Sequence, residues 1–245
     1  MALSERQNAI LSALKEHKSL RVNKLSKMLY VSEATIRRDL TEMESMGLIE
    51  RSHGGAILPE NSSEISIFFR MEKNPKEKER VATKALLHIP FFKTVFIDSS
   101  STALALAERM DLNYKTVITN NLQTAIQLSK KPNISLILLG GTVHFNTNST
   151  TGSWTTRQMD DFSFDLMLSS CASVIDGGAY ERSLDGRELK QMAFKKSKRK
   201  ILLVDHTKFN EQGTYCTAKL KEYDVVVTDC KPPEDVDLDG VNIVY

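Results

Sequence analysis

The chain has 245 residues, of which 41 % are hydrophobic and 26 % charged, with a formal net charge of +2; this is an ordinary globular composition, long enough for one large or two modest domains. Cys171, Cys216 and Cys230 are widely spaced and form no CxxC pair or Cys/His cluster, so neither a metal nor a cofactor is expected. The opening MALSERQNAI lacks a basic stretch leading into an apolar one, and runs such as ISLILLGG fall far short of the roughly 20 apolar residues that span a bilayer, which points to a cytoplasmic protein.

Residues 4–16, SERQNAILSALKE, place Ile10, Leu11 and Leu14 at helical spacing behind Ser4 as a cap. A second helix is expected over 21–30, with Val22, Leu25, Met28 and Leu29 on one face. In YVSEATIRRDLTEMESMG, Ser32 suits an N-cap, and Val31 and Ile36 stand at the positions of a hydrophobic staple. Ile36, Leu40 and Met43 follow at i, i+4 and i+7, and Gly47 ends the helix. Glu33, Thr35, Arg37 and Arg38 lie off that apolar face. Three short helices with a tight turn before the last read as helix-turn-helix. In GLIERSHGGAIL, Leu48–Ile49, Arg51, His53, a Gly54–Gly55 turn and Ala56–Ile57 read as a hairpin wing.

A third helix can lie in a major groove with its N-terminal side chains at base edges, and the planar fork of arginine matches guanine or phosphate. Ser32, Glu33, Thr35, Arg37, Arg38, Arg51, His53, Gly54 and Gly55 are therefore the candidate contacts to double-stranded DNA. The competing reading is a solvated face, with Arg37 and Arg38 paired to Glu33, Asp39 or Glu42. Residues 1–60 hold nine Lys/Arg and eight Asp/Glu, so charge alone does not decide. VSEATIRRDLTEMESMGLIERSHGGA resembles the signature of the DeoR family of transcriptional regulators through its VSxxTIRRDL core, GLIxR turn and HGGA wing. The resemblance implies a winged helix-turn-helix that binds an operator, usually as a repressor.

Residues 59–80 turn polar, with an apolar island at Ile65–Phe69, and read as an interdomain connection. Asn74–Pro75 suits an N-cap with proline at the first helical position, opening a helix over 75–88. Arg70 is expected to make a structural contact. The domains are accordingly drawn at 1–58, with a linker over 59–74 and a second domain over 75–245.

From residue 93 onward short β-rich runs alternate with helices: strands at 94–98, 116–119, 134–141, 165–170, 200–205, 225–229 and 242–245, and helices over 101–110, 121–130 and 186–197. The alternation argues for a Rossmann-like α/β domain with a mostly parallel sheet. Several strands end in the same chemistry: Asp98 before Ser99, Ser100, Ser101 and Thr102; Thr119 before Asn120; Gly140–Gly141; and Asp205 before His206–Thr207–Lys208. Ligands of open α/β sheets bind outside the carboxyl ends of strands, where helix N-termini favour anions. Hydroxyls and backbone N–H groups suit a phosphate, Asp98 and Asp205 suit sugar hydroxyls, and Lys208 suits a charge. Taken singly, each loop is as well explained by helix caps and turns. His17, His88 and His144 have no ligand spacing, and Trp154 fits packing as well as stacking.

This half also resembles the sensor domain of DeoR-type regulators, similar in fold to ribose-5-phosphate isomerase and the coenzyme A transferases, through FIDSSST, VITNNL, LLGGT, Gly152, Asp165, ELKQM and LLVDHTKF. The resemblance implies an effector site at Asp98, Ser99, Ser100, Ser101, Thr102, Thr119, Asn120, Gly140, Gly141, Glu188, Lys190, Asp205 and Lys208. Ser100–Ser101–Thr102 stands where many members carry Gly-Thr-Thr, and LLHIPFFKT and HFNTNSTTGSW also depart from the family pattern. The expected function is a repressor of a sugar-metabolism operon that responds to a phosphorylated sugar and works as a homodimer or homotetramer. The rival is a phosphosugar isomerase-like enzyme with an appended DNA-binding domain, in which Asp98, Glu188 or Asp205 moves a proton. A third possibility is an interaction module with an empty pocket.

Overall fold

A computed structural model describes residues 4–58 and 66–245, without the side chain of Lys15. The Ile65 end of the apolar island and most of the polar stretch before it lie outside the described residues. The chain divides into two compact units, Met1–Phe69 and Arg70–Tyr245.

In the first unit α1 spans Glu5–His17, β1 Ser19–Arg21, α2 Val22–Leu29, α3 Glu33–Ser45, β2 Glu50–Ser52 and β3 Gly55–Ile57. Ser4 caps α1 in a full capping box with Gln7, satisfying two otherwise orphan N–H groups. Ser32 caps α3 by accepting from the Thr35 amide at 3.2 Å. Ile10, Leu14, Leu25, Ile36, Leu40 and Met43 close one core, and Val31 packs on it beside Ile36 as a staple requires. Burying each such side chain contributes about 1.5–3 kcal/mol.

The wing is a three-stranded antiparallel sheet in the order β1-β3-β2, where the sequence reading expects a two-stranded hairpin. The extra strand β1 replaces the start of the helix expected from residue 21; α2 begins at Val22. Gly55 has a steric reason: a Cβ there would stand 2.2 Å from the Leu20 carbonyl oxygen of β1. Gly54 turns the hairpin at φ +74°. The connection also contains a helix, α4, over Ile67–Glu72, and the boundary between the units falls inside it.

In the second unit α5 spans Pro75–Leu86, β4 Thr94–Ile97, α6 Ser101–Arg109, β5 Thr116–Thr119, α7 Leu122–Leu128 and β6 Ser135–Leu138. Then come β7 Thr142–His144, β8 Ser149–Thr151, α8 Ser153–Gln158, β9 Phe164–Ser170, β10 Ser173–Ile175 and β11 Gly178–Glu181. The unit ends with α9 Leu184–Lys196, β12 Ser197–Val204, β13 Tyr215–Lys219, β14 Val225–Thr228 and β15 Ile243–Val244. A seven-stranded sheet runs β15-β14-β12-β9-β4-β5-β6, and every pairing in it is parallel.

Its strands are apolar on both faces, as a sheet covered on both sides requires. Val95, Ile97, Val117 and Leu168 pack with Val81, Ala85, Leu106 and Leu128 from α5, α6 and α7. Phe96, Ile118 and Met167 pack on the other face with Leu189 and Ala193 of α9. The hairpin β7–β8, the helix α8 and the small sheet β10-β11-β13 are additions that the sequence reading does not foresee.

Chain order runs outward from β4 through β5 to β6 on one side, and from β9 through β12 and β14 to β15 on the other. The direction of winding therefore changes between β4 and β9. At such a switch point adjacent loops diverge and leave a crevice at the carboxyl ends of the strands.

Candidate functional sites

In the first unit Arg37 and Arg38 are both exposed on α3. Arg37 Nη2 donates to Glu33 at 2.6 Å, an i,i+4 pair exposed on both sides. The other acids that could neutralise the pair are engaged elsewhere. Asp39 is buried and takes a two-pronged contact from Arg6 of α1, with Nη2 at 3.0 Å. Glu42 accepts from Gln7 at 2.9 Å. Arg38 has no hydrogen bond or ion pair among the described residues. The competing ion-paired reading thus fits Arg37 and not Arg38.

Ser32 and Thr35 form the cap, Oγ to Oγ1 at 2.9 Å, with Ser32 still exposed. Arg51 does not project from the wing: its Nη1 donates to Thr41 of α3 at 3.4 Å. His53 stands exposed at the turn, Gly54 shapes that turn, and Gly55 is buried, so its place is structural. Tyr30, in the tight turn before α3, is 95 % exposed; the sequence reading passes over it.

In the second unit the strand-end loops divide into two groups. On the β5–β6 side the polar residues serve the β7–β8 hairpin. Asn120 Nδ2 donates to the Thr150 carbonyl at 3.0 Å, and Thr150 Oγ1 donates to the Leu139 carbonyl at 2.7 Å. Asn121 Nδ2 donates to the carbonyls of Thr147 and Asn148. Thr119 is buried and accepts from the Asn121 amide at 3.1 Å. The Gly140 carbonyl accepts from Thr155 at 2.8 Å and Gln158 at 3.0 Å. A Cβ on Gly141 would stand 2.0 Å from Thr155 Oγ1. HFNTNSTTGSW is thus folded onto the strand ends, and Thr119, Asn120, Gly140 and Gly141 hold it there.

The β4–β9–β12 side is different. Asp98 is 1 % exposed, and its two carboxylate oxygens accept from the Ser100 amide at 2.9 Å, Ser169 Oγ at 2.7 Å and the Ser170 amide at 3.0 Å. Lys190 Nζ lies 2.9 Å from Asp98 and 2.6 Å from Glu181. Burial alone would raise the Asp98 carboxyl, but Lys190 and the three donors hold it below the usual carboxylate range. Burial would likewise lower Lys190, and the charges of Asp98 and Glu181 instead raise it. Oδ2 takes Ser169, the Ser170 amide and Lys190, and Oδ1 takes the Ser100 amide, so the carboxylate is held ionised and is unsuited to move a proton. Asp98 thereby shapes the Ser99–Ser101 loop. Glu181, brought in by β11, is the partner that sequence reasoning misses.

Ser100 caps α6 by accepting from the Ala103 amide at 3.2 Å, and Thr102 is buried. Ser101 Oγ donates to the Arg70 carbonyl at 3.2 Å, and Arg70 Nη1 donates to the Ser99 carbonyl at 3.2 Å, the structural contact expected of Arg70. Asp205 is buried, and its Oδ1 accepts from the Thr207 amide and hydroxyl. Lys208 is half-buried, its amide donates to the Asp205 carbonyl at 3.0 Å, and its side chain has no hydrogen bond or ion pair among the described residues. Glu188 does not join these groups. It is exposed on α9 and lines a cleft of about 330 Å³ with Arg157, Asp160, Gln191 and Lys195.

Adjacent strands β12 and β14 bring His206, Asp229 and Cys230 together, with one potential ligand atom of each within 4.8 Å of the others. The sequence spacing gives no hint of this cluster. Asp229 is already committed: its oxygens accept from the His206 amide at 2.7 Å and face His206 Nδ1 at 2.9 Å. Arg80 stands 3.6 Å away, so existing cations and donors satisfy the carboxylate. Burial pushes the Cys171 thiol up to about 12, which keeps it protonated and inert. No described helix is long and apolar enough to cross a membrane.

Two family models match the chain: the DeoR-like helix-turn-helix domain over residues 6–62 and the DeoR C terminal sensor domain over residues 73–230. The HTH-type transcriptional regulator GolR of Listeria innocua serovar 6a is 35 % identical over 93 % of this chain and 91 % of its own. The glycerol-3-phosphate regulon repressor of Escherichia coli K12 is 32 % identical over 96 % and 94 %. The L-fucose operon activator of the same organism is 31 % identical over 91 % and 94 %. Among solved structures, ribose 5-phosphate isomerase A of Methanocaldococcus jannaschii aligns with 56 % of this chain and 55 % of its own at 14 % identity and a TM-score of 0.40. So distant a likeness adds nothing to what the strand order already says.

Proposed function

The chain belongs to the DeoR family of DNA-binding transcriptional regulators, and from that premise we propose that it represses a sugar-metabolism operon under the control of a phosphorylated sugar bound at the β4–β9 switch point. The single observation that carries the effector reading is Lys208: a half-buried ammonium without a side-chain partner among the described residues, in the loop that follows β12. A partly desolvated cation is stabilised by an anion, and a phosphate ester supplies one. The repressor sign is supported by relatives named as the glycerol-3-phosphate regulon repressor and the transcriptional repressor GlcR. The L-fucose operon activator makes activation the outcome to test against.

On the DNA side, Arg38 is the proposed base- or phosphate-reading residue, with Arg37, Ser32, Thr35 and His53 around it. Glu33 holds Arg37 in place. One small winged unit gives a short footprint, and two linked copies bind a repeated site at high effective concentration. A homodimer or homotetramer assembled through the second unit in the cytoplasm follows. Leu87, Phe91 and Trp154, each at least 75 % exposed there, support it. A monomer by light scattering at micromolar concentration, with and without DNA, contradicts that assembly.

The test of the reading is a fluorescence titration of the protein with DNA from upstream of the genes beside its own, repeated with a panel of pentose and hexose phosphates. Release of DNA by one phosphorylated sugar, and not by its unphosphorylated parent, is expected. Tighter binding with the same sugar would make it a co-repressor. Indifference to the whole panel would remove the phosphosugar.

A further inference from the structure

The chain has one tryptophan, and the fold leaves it in solvent. Trp154, the second residue of α8, is 75 % exposed and has no ring contact among the described residues. Arg157 follows it at i+3, on the same side of the helix, and lines the cleft of about 330 Å³ between α8 and α9. Along α9, Leu184, Glu188, Gln191 and Lys195 are spaced i, i+4, i+7 and i+11, the rows of one helix face. The last three of them line the same cleft. Leu184, Glu188 and Lys195 are exposed, while Leu189 and Ala193 go into the core.

The charges of this face are not spent within the protomer. The side chains of Arg157, Glu188 and Lys195 have no hydrogen bond or ion pair among the described residues, and Asp160 is engaged by Lys196 at 3.3 Å. A face that carries a free acid and free bases is complementary to a copy of itself. In a two-fold contact residue i of one protomer meets residue j of the other, and j meets i. Glu188 and Lys195 stand seven residues apart on one stripe, about 10 Å along the axis. Two copies of α9 laid antiparallel about a two-fold axis near Gln191 and Met192 set each Glu188 against the partner's Lys195. Tryptophan is enriched at the centre of such contacts because it covers a large apolar area with few torsions to fix. The exposed pair Leu87 and Phe91 lies at the amino end of β4, and Phe91 already has the Lys115 ammonium over its ring at 4.6 Å.

We propose that a second copy of this chain docks on this face, α9 against α9 across a two-fold axis, with the Trp154 indole of each protomer seated on the partner's cleft. This rests on the reading that the protein assembles through its second unit, and it adds the surface and the residues that hold it. On its buried side α9 carries Lys190, bonded to Asp98 and to the Ser170 carbonyl. The contact between copies and the loop that Asp98 shapes therefore share one helix.

The experiment uses the full-length protein without ligand or DNA. Sedimentation velocity reports assembly across a dilution series, and tryptophan emission is read in the same samples. Because Trp154 is the one tryptophan, the emission reports this face alone. In the assembled protein it should lie at shorter wavelength than in the monomer and resist quenching by acrylamide. Trp154→Ala and Glu188→Lys should each raise the dissociation constant about tenfold or more. Both side chains are exposed, so each variant should keep its fold, checked by circular dichroism. Glu188→Lys combined with Lys195→Glu sets opposite charges face to face again and should regain most of the loss. A combined variant that regains nothing would overturn the antiparallel pairing. An oligomer whose indole stays open to acrylamide, and whose assembly neither variant changes, would overturn this inference and leave assembly through another face of the second unit intact. A monomer at every concentration would overturn both.

Discussion

The outer face of α3 and the crevice at the β4–β9 switch are both charged, and they settle their charges in opposite ways. On α3 the acids are drawn off by α1, Asp39 by Arg6 and Glu42 by Gln7, and the Arg38 side chain is left in solvent without a partner among the described residues. In the crevice Asp98 is buried under four donors, with Lys190 locked between it and Glu181. An exposed charge without a partner costs the free protein little and is available to a ligand. A buried, fully bonded charge is committed to the fold, and losing one partner strands the others. Binding candidates are therefore better ranked by vacancy than by charge, and Arg38 and Lys208 meet that criterion where Asp98 does not.

The largest effect that would break this contrast is expected at Asp98. Asp98→Ala leaves Lys190 buried with Glu181 as its one matched charge and the Ser170 carbonyl as acceptor, and should cost about 3–5 kcal/mol of the second unit's stability, read as a lower midpoint in chemical denaturation. A variant as stable as wild type that has lost only its ligand response would place Asp98 in the ligand site. Next comes Gly55→Ala, whose new methyl group meets the Leu20 backbone rather than a side chain that can move. It should destabilise the first unit by about 1–3 kcal/mol. Gly54→Ala, with open space around its Cβ, should cost only the roughly 1–2 kcal/mol of a left-handed turn. Equal losses in the two would show that strain, not close approach, governs the wing.

The difference between the regions also explains how much was legible in sequence. Ser32, Val31, Ile36, Leu40 and Met43 specify α3 within a dozen residues, so cap, staple and apolar face can all be read locally. β1 cannot: three residues, Ser19–Arg21, become a strand only because β3 pairs with them some 36 residues later. The β7–β8 hairpin lacks apolar alternation and is held by Asn120, Asn121 and Thr150 side chains, whose partners come from other loops. Glu181 reaches Lys190 only because β11 turns back over the sheet. Lys78 did leave a signal, as a lysine at i, i+3, i+4 and i+7 with Val81, Ala82 and Ala85 on the apolar face of α5. The strand-end Ser and Asp residues could be placed at the right edge, but whether each faced ligand or protein depended on these distant partners.

On the DNA side, Arg38→Ala should weaken operator binding by about 1–3 kcal/mol with unchanged thermal stability. Loss of discrimination between sites would mark a base contact. Uniform weakening with a flatter salt dependence would mark a phosphate contact. Unchanged affinity across a salt series would remove Arg38 from the interface.

A pH-dependent effect belongs to Lys78, which burial on α5 lowers from its ordinary range. Its value of about 7 lies below the ordinary 10.5, so between those pH values the unfolded chain holds the extra proton. The sign is positive: this group's contribution rises with pH across the window and is lost as pH falls through about 7. Stability measured from pH 7 to 10 should climb more steeply in wild type than in Lys78→Met. Parallel curves would mean that Lys78 keeps its charge in the fold.

The most direct measurement is a DNA-binding titration of wild type and Lys208→Ala, each with and without the phosphorylated sugar found in the screen. A ligand can shift the DNA equilibrium only through a contact that differs between the two states. Lys208→Ala should match wild type in operator affinity without ligand and fail to respond when ligand is added. A Lys208→Ala protein that releases DNA at the same ligand concentration as wild type would contradict the account.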